Sequence, residues 1–114
     1  MKKIIDFQKN FDKEHGWDWN NLSGNEKIEK LKYAIIALTG EMGEIADPVK
    51  KYLRKYEGKY NKKGFENLKQ EITEELVDVM IYLIKFADLL DIDLEESYFD
   101  KMKTNKKKFK DFEI

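Results

Sequence analysis

Cysteine is absent from the 114 residues. Disulfides, thiol nucleophiles and thiolate metal ligands are thereby excluded, which suits a reducing, cytoplasmic setting. Histidine occurs once, at His15 beside a loop. A solitary imidazole there reads as a surface or capping residue, and no role is assigned to it. Proline occurs once, at Pro48, so only there does the chain lose a backbone donor inside an otherwise periodic stretch. Long hydrophobic runs are lacking too. Met1 to Ile5 starts like a leader, but Asp6, Gln8, Lys9 and Asn10 interrupt it, and no later run reaches the roughly 20 apolar residues of a membrane span. No fixed-period repeat is present, nor a low-complexity tract beyond the terminal lysines.

Net charge is also scarce, at −1, although 39% of the residues are charged, well above the roughly 25% of an ordinary globular domain. The charge is segregated. Residues 71 to 100 hold ten acids and one Lys; residues 48 to 63 hold seven Lys or Arg against Glu57; residues 101 to 110 hold six Lys and no acid. Such blocks are usually solvated helix faces. The sharper alternative is a cationic surround for an anionic ligand in the same molecule as an acidic metal site. Acid-rich helices beside the lysines speak against a nucleic-acid surface, so neither nucleic acid nor membrane is an expected partner. The length predicts a single domain over 1–114, with a core small enough that a buried central helix needs a second subunit; a homodimer or homotetramer is expected.

Glu71 to Leu90 is that central helix. Leu68, Ile72, Leu76, Val79, Leu83, Phe86 and Leu90 step by four and three, an apolar stripe assigned to the core. Val77, Met80, Ile81 and Ile84 cover other faces, so burial by several neighbours is expected. Earlier, Ile4, Phe7 and Phe11 make a short amphipathic helix ending near Gly16. Trp17 and Trp19 then sit in an aperiodic loop, either as a lid over the core, the more usual use of large aromatics, or as a platform for a flat ligand. Ser23 and Glu26 form a capping-box pattern that opens a long helix with the stripe Ile28, Leu31, Ile35, Leu38, Met42 and Ile45. Ala34, Ala37, Glu41 and Glu44 follow on another face, where small side chains let a second helix approach closely. Pro48 is expected to break or kink this helix, with Asp47 capping the piece from Val49 to Tyr56. Gly58 to Gly64 reads as a basic loop that orders only around an anion. Asp93 and Glu96 form a second capping box, opening a helix on which Lys101, Asn105 and Lys108 share a face. The tail after Phe109 reads as frayed.

Glu41-x-x-Glu44 and Glu75-x-x-Asp78 each place two carboxylates one turn apart, able to hold a hard cation. With 23 acids in 114 residues, such pairs arise by chance, so neither alone is informative. Both lie on strongly apolar helices, however, and antiparallel packing would converge all four. Oxygen donors without Cys or His favour magnesium (Mg2+), with manganese (Mn2+) able to substitute, over zinc. Ordinary ion pairs with the many lysines are the competing account, and at this point both stand.

The segments ALTGEMGEIAD (37–47), EELVDVMIYLIKFAD (74–88) and IDLEESYFDKMKTNKKKF (92–109) together resemble the MazG-like, all-α nucleoside triphosphate pyrophosphohydrolases. That family's E-x-x-E is matched by Glu41 and Glu44, its E-x-x-D by Glu75 and Asp78, and its late K-M-x-x-N by Lys101, Met102 and Asn105. The resemblance implies an all-α bundle of four or five helices completed by oligomerisation, magnesium bound by the four acids, and nucleotide phosphates bridging the metal, Lys101 and Asn105. Two departures are visible: a longer interval between the acidic pairs, and Pro48 just after the first.

The expected reaction is attack of water on the α-phosphorus of a ribo- or deoxynucleoside triphosphate, releasing a monophosphate and pyrophosphate, with Glu41, Glu44, Glu75 and Asp78 as metal ligands and catalytic residues. Lys101, Lys108 and Arg54 would offset phosphate charge, and Trp17, Trp19 or Phe11 would stack on the base. Narrower alternatives are dUTP- or dCTP-specific hydrolysis or hydrolysis of phosphoribosyl-ATP. From another class, the acidic patch could serve a non-catalytic helical module that binds basic partners.

Overall fold

The computed structural model describes residues 1 to 114. It contains four α-helices and no strand: α1 (Lys2–Glu14), α2 (Gly24–Lys55), α3 (Lys62–Leu89) and α4 (Leu94–Lys108), followed by a 3-10 turn (Lys110–Phe112). The expected all-α class and helix number hold. No helix is long and apolar enough to cross a membrane.

Local chemistry sets the helix ends. Ser23 Oγ accepts the Glu26 backbone N–H at 3.2 Å while Glu26 Oε1 accepts that of Ser23 at 3.0 Å, a complete capping box for α2. At α4 the expected box is one-sided: Asp93 Oδ1 accepts the Glu96 N–H at 3.0 Å, and no return bond forms. The proline does not end α2, which runs through Pro48 to Lys55. A proline removes one N–H, toward the carbonyl of Glu44, and leaves the surrounding ladder in place. Asp47 is therefore no cap. It pairs with Lys51 at 2.9 Å, one turn on and across the proline.

The basic connection after α2 is tied down by the protein's own groups. Tyr52 clasps it, its hydroxyl donating to the Lys59 carbonyl at 2.9 Å and accepting the Asn61 N–H at 2.9 Å. Asn61 Oδ1 then accepts from Gly64 N at 2.9 Å and caps α3, which starts inside the stretch read as loop. Gly64 is buried against the Tyr56 ring, and a Cβ at that position would collide with the ring.

A short connection between long helices makes α2 and α3 an antiparallel hairpin. Tyr52 lies near Phe65, Glu41 near Glu75 and Asp78, and Tyr33 near Tyr82. The seam keeps only part of each expected stripe: Leu31, Leu38 and Ile45 on α2 and Leu68, Ile72, Val79 and Phe86 on α3 are withdrawn from solvent. On α2 one row withdrawn from solvent runs Ala34, Leu38, Glu41, Ile45, Pro48 and Tyr52, with Leu31, Ala37 and Val49 beside it; on α3 a row runs Leu68, Ile72, Glu75, Val79, Tyr82, Phe86 and Leu89, and toward its C-terminal end Met80, Ile81, Ile84, Lys85, Ala87 and Asp88 are covered as well. Both rows follow alternating steps of three and four, the pattern of two helices wound on each other. Ala34 is 0% exposed, so the small-residue ridge, rather than the large apolar stripe, takes the close approach.

The stripes are consequently split. Ile28, Ile35 and Met42 on α2, and Leu76 and Leu83 on α3 with Leu90 at its C-cap, each spaced by seven residues, stay 44% to 54% exposed. Likewise Ile4 and Phe7 of α1 face outward, and Ile5, Gln8 and Asp12 turn inward against α3. Helix α4 has no buried residue and packs on little besides the 3-10 turn. The accessible surface is 9507 Å², where a compact monomer of this mass exposes about 6,600 Å². The radius of gyration is 18.2 Å, against about 13 Å for a compact chain of this length. The most enclosed packing lies where α1 crosses the end of α3, around Ile84, Ala87, Leu89 and Asp12.

Because Ala34 is the tightest point of the seam, Ala34→Leu forces α2 and α3 apart. A drop of about 1–3 kcal/mol in unfolding free energy is expected from urea denaturation.

Candidate metal centre

Glu41 and Glu75 lie on the seam itself, and Asp78 lies one turn beyond Glu75, so antiparallel packing turns two separate sequence pairs toward each other. Carboxylate oxygens of Glu41, Glu75 and Asp78 all come within 4.8 Å of one another. Glu41 and Glu75 are half-buried and Asp78 is exposed. Glu44, one turn after Glu41, stands at the neighbouring edge. It lines a groove of about 260 Å³ with Asp47, Pro48, Lys51, Glu71, Glu74 and Glu75.

The ion-pair account of these acids does not apply. The ion pairs in the molecule join Lys9 to Asp88, Lys32 to Glu29, Lys51 to Asp47 and Lys85 to Asp12, and none engages Glu41, Glu44, Glu75 or Asp78. The Glu75 carboxyl is pushed above its ordinary range, first by desolvation and then by the charges of Asp78, Glu44, Glu41 and Glu74. Asp47 goes the other way, held low by its hydrogen bond and charge pairing with Lys51. Converging oxygen donors with no protein counter-charge suit a hard divalent cation, and the residues present fit one.

The remaining expected residues are divided. Arg54 lies close enough to Asp47 to act on its charge, on the α2 turns leading away from the carboxylates. Lys101, Asn105 and Lys108 ride on α4, which makes no extended contact with α2 or α3, and within one chain they are not brought to the acids. Trp17 stacks on His15 with centroids 4.9 Å apart and lies 6.0 Å from Phe11, so Trp17 and Phe11 form an outer cluster of their own. Trp19 instead meets Tyr33 edge-on at 6.2 Å. Tyr33 and Tyr82 were not singled out in sequence. Burial first, then the hydroxyl of Tyr33, then Glu41 and Asp78, push the Tyr82 hydroxyl above its ordinary range. Its position four residues after Asp78 was the available signal.

The raised Glu75 value has a sign. Folding favours its protonated form, so stability contributed by this group is present below the ordinary value of 4.5 and is lost as pH rises through the higher folded value. Without divalent cations, Glu75→Gln is expected to melt above the unsubstituted protein at neutral pH and to show a flatter melting profile between pH 4 and 7, as read by circular dichroism with chelator present.

Comparison with known proteins bears on the same residues. The profile of the MazG nucleotide pyrophosphohydrolase domain matches residues 29–110, which includes both acidic pairs and all of α4. "Gene 37 protein" of Mycobacterium phage L5 is 40% identical over 67 residues, 59% of this chain. The match spans about half the length of that phage protein, 55%. No solved structure matches. With the profile covering most of its length, the chain belongs to the MazG nucleotide pyrophosphohydrolase family.

Proposed function

We propose that this chain, acting as one domain, hydrolyses a ribo- or deoxynucleoside triphosphate to the monophosphate and pyrophosphate, with magnesium held by Glu41, Glu44, Glu75 and Asp78. The observation that carries this reading is the convergence of three carboxylates within 4.8 Å on a half-buried seam with no basic partner. Bound there, the cation supplies charge neutralisation for the phosphates and lowers the pKa of water. The chain's own part is positional. Glu41 and Glu75 fix donors from opposite helices, and the excess of carboxylates over what one cation needs leaves a base to take the proton as water oxygen bonds to the α-phosphorus. The bond from that phosphorus to the bridging oxygen breaks, and the electron pair leaves with pyrophosphate. Tyr82 has a hydroxyl to offer beside this centre, and Trp19 supplies a flat apolar wall farther along the seam.

A homo-oligomer is part of the proposal. The exposed rows Ile28, Ile35, Met42 and Leu76, Leu83, Leu90 lie along the two helices of one hairpin with seven-residue spacing, as helices that pair with copies of themselves do. The surface in excess of a compact monomer, roughly 2,900 Å² per chain, has the scale of an obligate interface. Assembly would also bring α4 of one copy to the acids of another, giving Lys101, Asn105 and Lys108 access to phosphates.

Three results are expected. Pyrophosphate release from a panel of ribo- and deoxynucleoside triphosphates appears with magnesium, stops with a chelator and is confined to a few nucleotides; release from none sinks the reading, and phosphoribosyl-ATP is then the substrate to try. Glu75→Gln abolishes turnover with its far-ultraviolet circular dichroism unchanged. The double variant Ile35→Glu, Leu83→Glu runs on gel filtration near the 13.7 kDa of a single chain, while the unsubstituted protein runs at a multiple of it.

A further inference from the structure

Lys85 is a lysine with almost no exposed side chain, 14%, and its placement has no role in the metal centre. A buried ammonium is expensive unless its donors are used. Here they are. Nζ stands 3.7 Å from Asp12 Oδ2 of α1, donates to the Trp17 carbonyl at 3.2 Å, and lies 4.6 Å from the centre of the Trp19 ring. Asp12, itself buried, is held by Gln8 Nε2 at 3.0 Å. One side chain of α3 thus meets the end of α1, the Trp17 backbone and the Trp19 ring. The indole also makes an edge-on contact with Tyr33, and Lys30 Nζ lies 5.9 Å from the ring centre.

These contacts lie in register with the acids. Lys85 is seven residues, two helical turns, after Asp78, and Tyr82 lies between them on the same side of α3. Along the seam the order is therefore carboxylates, the Tyr33 and Tyr82 hydroxyls, and then Trp19 backed by Lys85. A nucleotide with its phosphates at the acids would extend its base toward that indole, at a distance two turns of helix, about 11 Å, can span. A methionine or leucine would fill the same space between α1 and α3 without burying a charge, so packing alone gives no reason for a lysine.

We propose that Lys85 is a positioning residue, which holds the Trp19 indole as the wall on which the nucleotide base stacks. It acts through Trp19 and touches neither phosphates nor metal. This rests on the nucleotide reading above, and the test separates the two failures.

The background is Trp17→Phe, so that Trp19 is the one tryptophan. In it, Lys85→Met and Lys85→Arg are compared by steady-state kinetics on the preferred triphosphate and by Trp19 emission. Expected for Lys85→Met is a KM raised by about 5- to 150-fold, the range that loss of one base-aromatic stack produces, with kcat within about twofold, a shifted Trp19 emission, and a return toward the background values in Lys85→Arg, which keeps the cation. An unchanged KM alongside shifted emission overturns the proposal, because the indole has then moved without consequence for the base. A loss confined to kcat, or one that Lys85→Arg does not reverse, also overturns it, since Lys85 is then only part of the packing. Should the unsubstituted protein release no pyrophosphate, the catalytic reading fails by itself. The inference is then decided by titrating the same triphosphates and following Trp19 quenching: weaker quenching in Lys85→Met supports it, and equal or absent quenching overturns it.

Discussion

The structure depends on carboxylates being packed into a helix seam. Glu41 and Glu75 occupy positions where an apolar residue would stabilise the α2-α3 pair more, and each brings a charge that repels the other. Desolvation and like charge both act against the fold there, with no lysine to offset them. Everything around the seam can be understood as compensation. Ala34 allows close approach, Ile45, Ile72 and Val79 flank the acids, and Tyr52 and Gly64 close the hairpin end tightly. The repulsion that weakens the hairpin is the same property that suits the site to a divalent cation.

The two ends of the hairpin are treated differently. At the loop end, aromatic rings and backbone hydrogen bonds fasten the turn, and the proline is carried within a continuous helix bridged by Asp47 and Lys51. At the far end, α1 and the aromatic loop are fixed by ionic contacts, an exposed one between Lys9 and Asp88 and a largely covered one between Lys85 and Asp12. Polar attachment demands a particular geometry in a way apolar contact does not. It fits the positioning role proposed for Lys85 at the Trp19 loop.

The outer faces tell a complementary story. Two apolar rows with seven-residue spacing remain in solvent, α4 stands apart from the hairpin, and the surface exceeds that of a compact chain by a large margin. The long basic stretch of α4 and the acid-rich α3 thus stay apart within one chain, although the net charge of −1 shows that their opposite charges nearly balance. Segregated charge on a chain with uncovered apolar faces suits assembly from copies of itself.

Much was determined by the sequence alone, for reasons that are local. Helix periods, the Ser23 box and the two acid pairs depend on residues three and four apart, which any helix brings together. The three ordered blocks that resemble the family are likewise properties of the chain as written. What only the tertiary structure decided is which side of each helix is inside. Both α2 and α3 are apolar over wide arcs, and hydrophobicity predicts that the largest side chains turn inward. Close approach through Ala34 instead put Glu41, Glu75 and Tyr82 on the seam and left Leu76, Leu83, Ile35 and Met42 outside. The continuity of α2 through Pro48, the clasp at Tyr52 and the hold of Lys85 on the Trp19 loop were beyond local reasoning for the same cause: each depends on a partner far along the chain or on ladder bonds around the break. Spacing brought the carboxylates into pairs, but only the antiparallel register brought the pairs to each other.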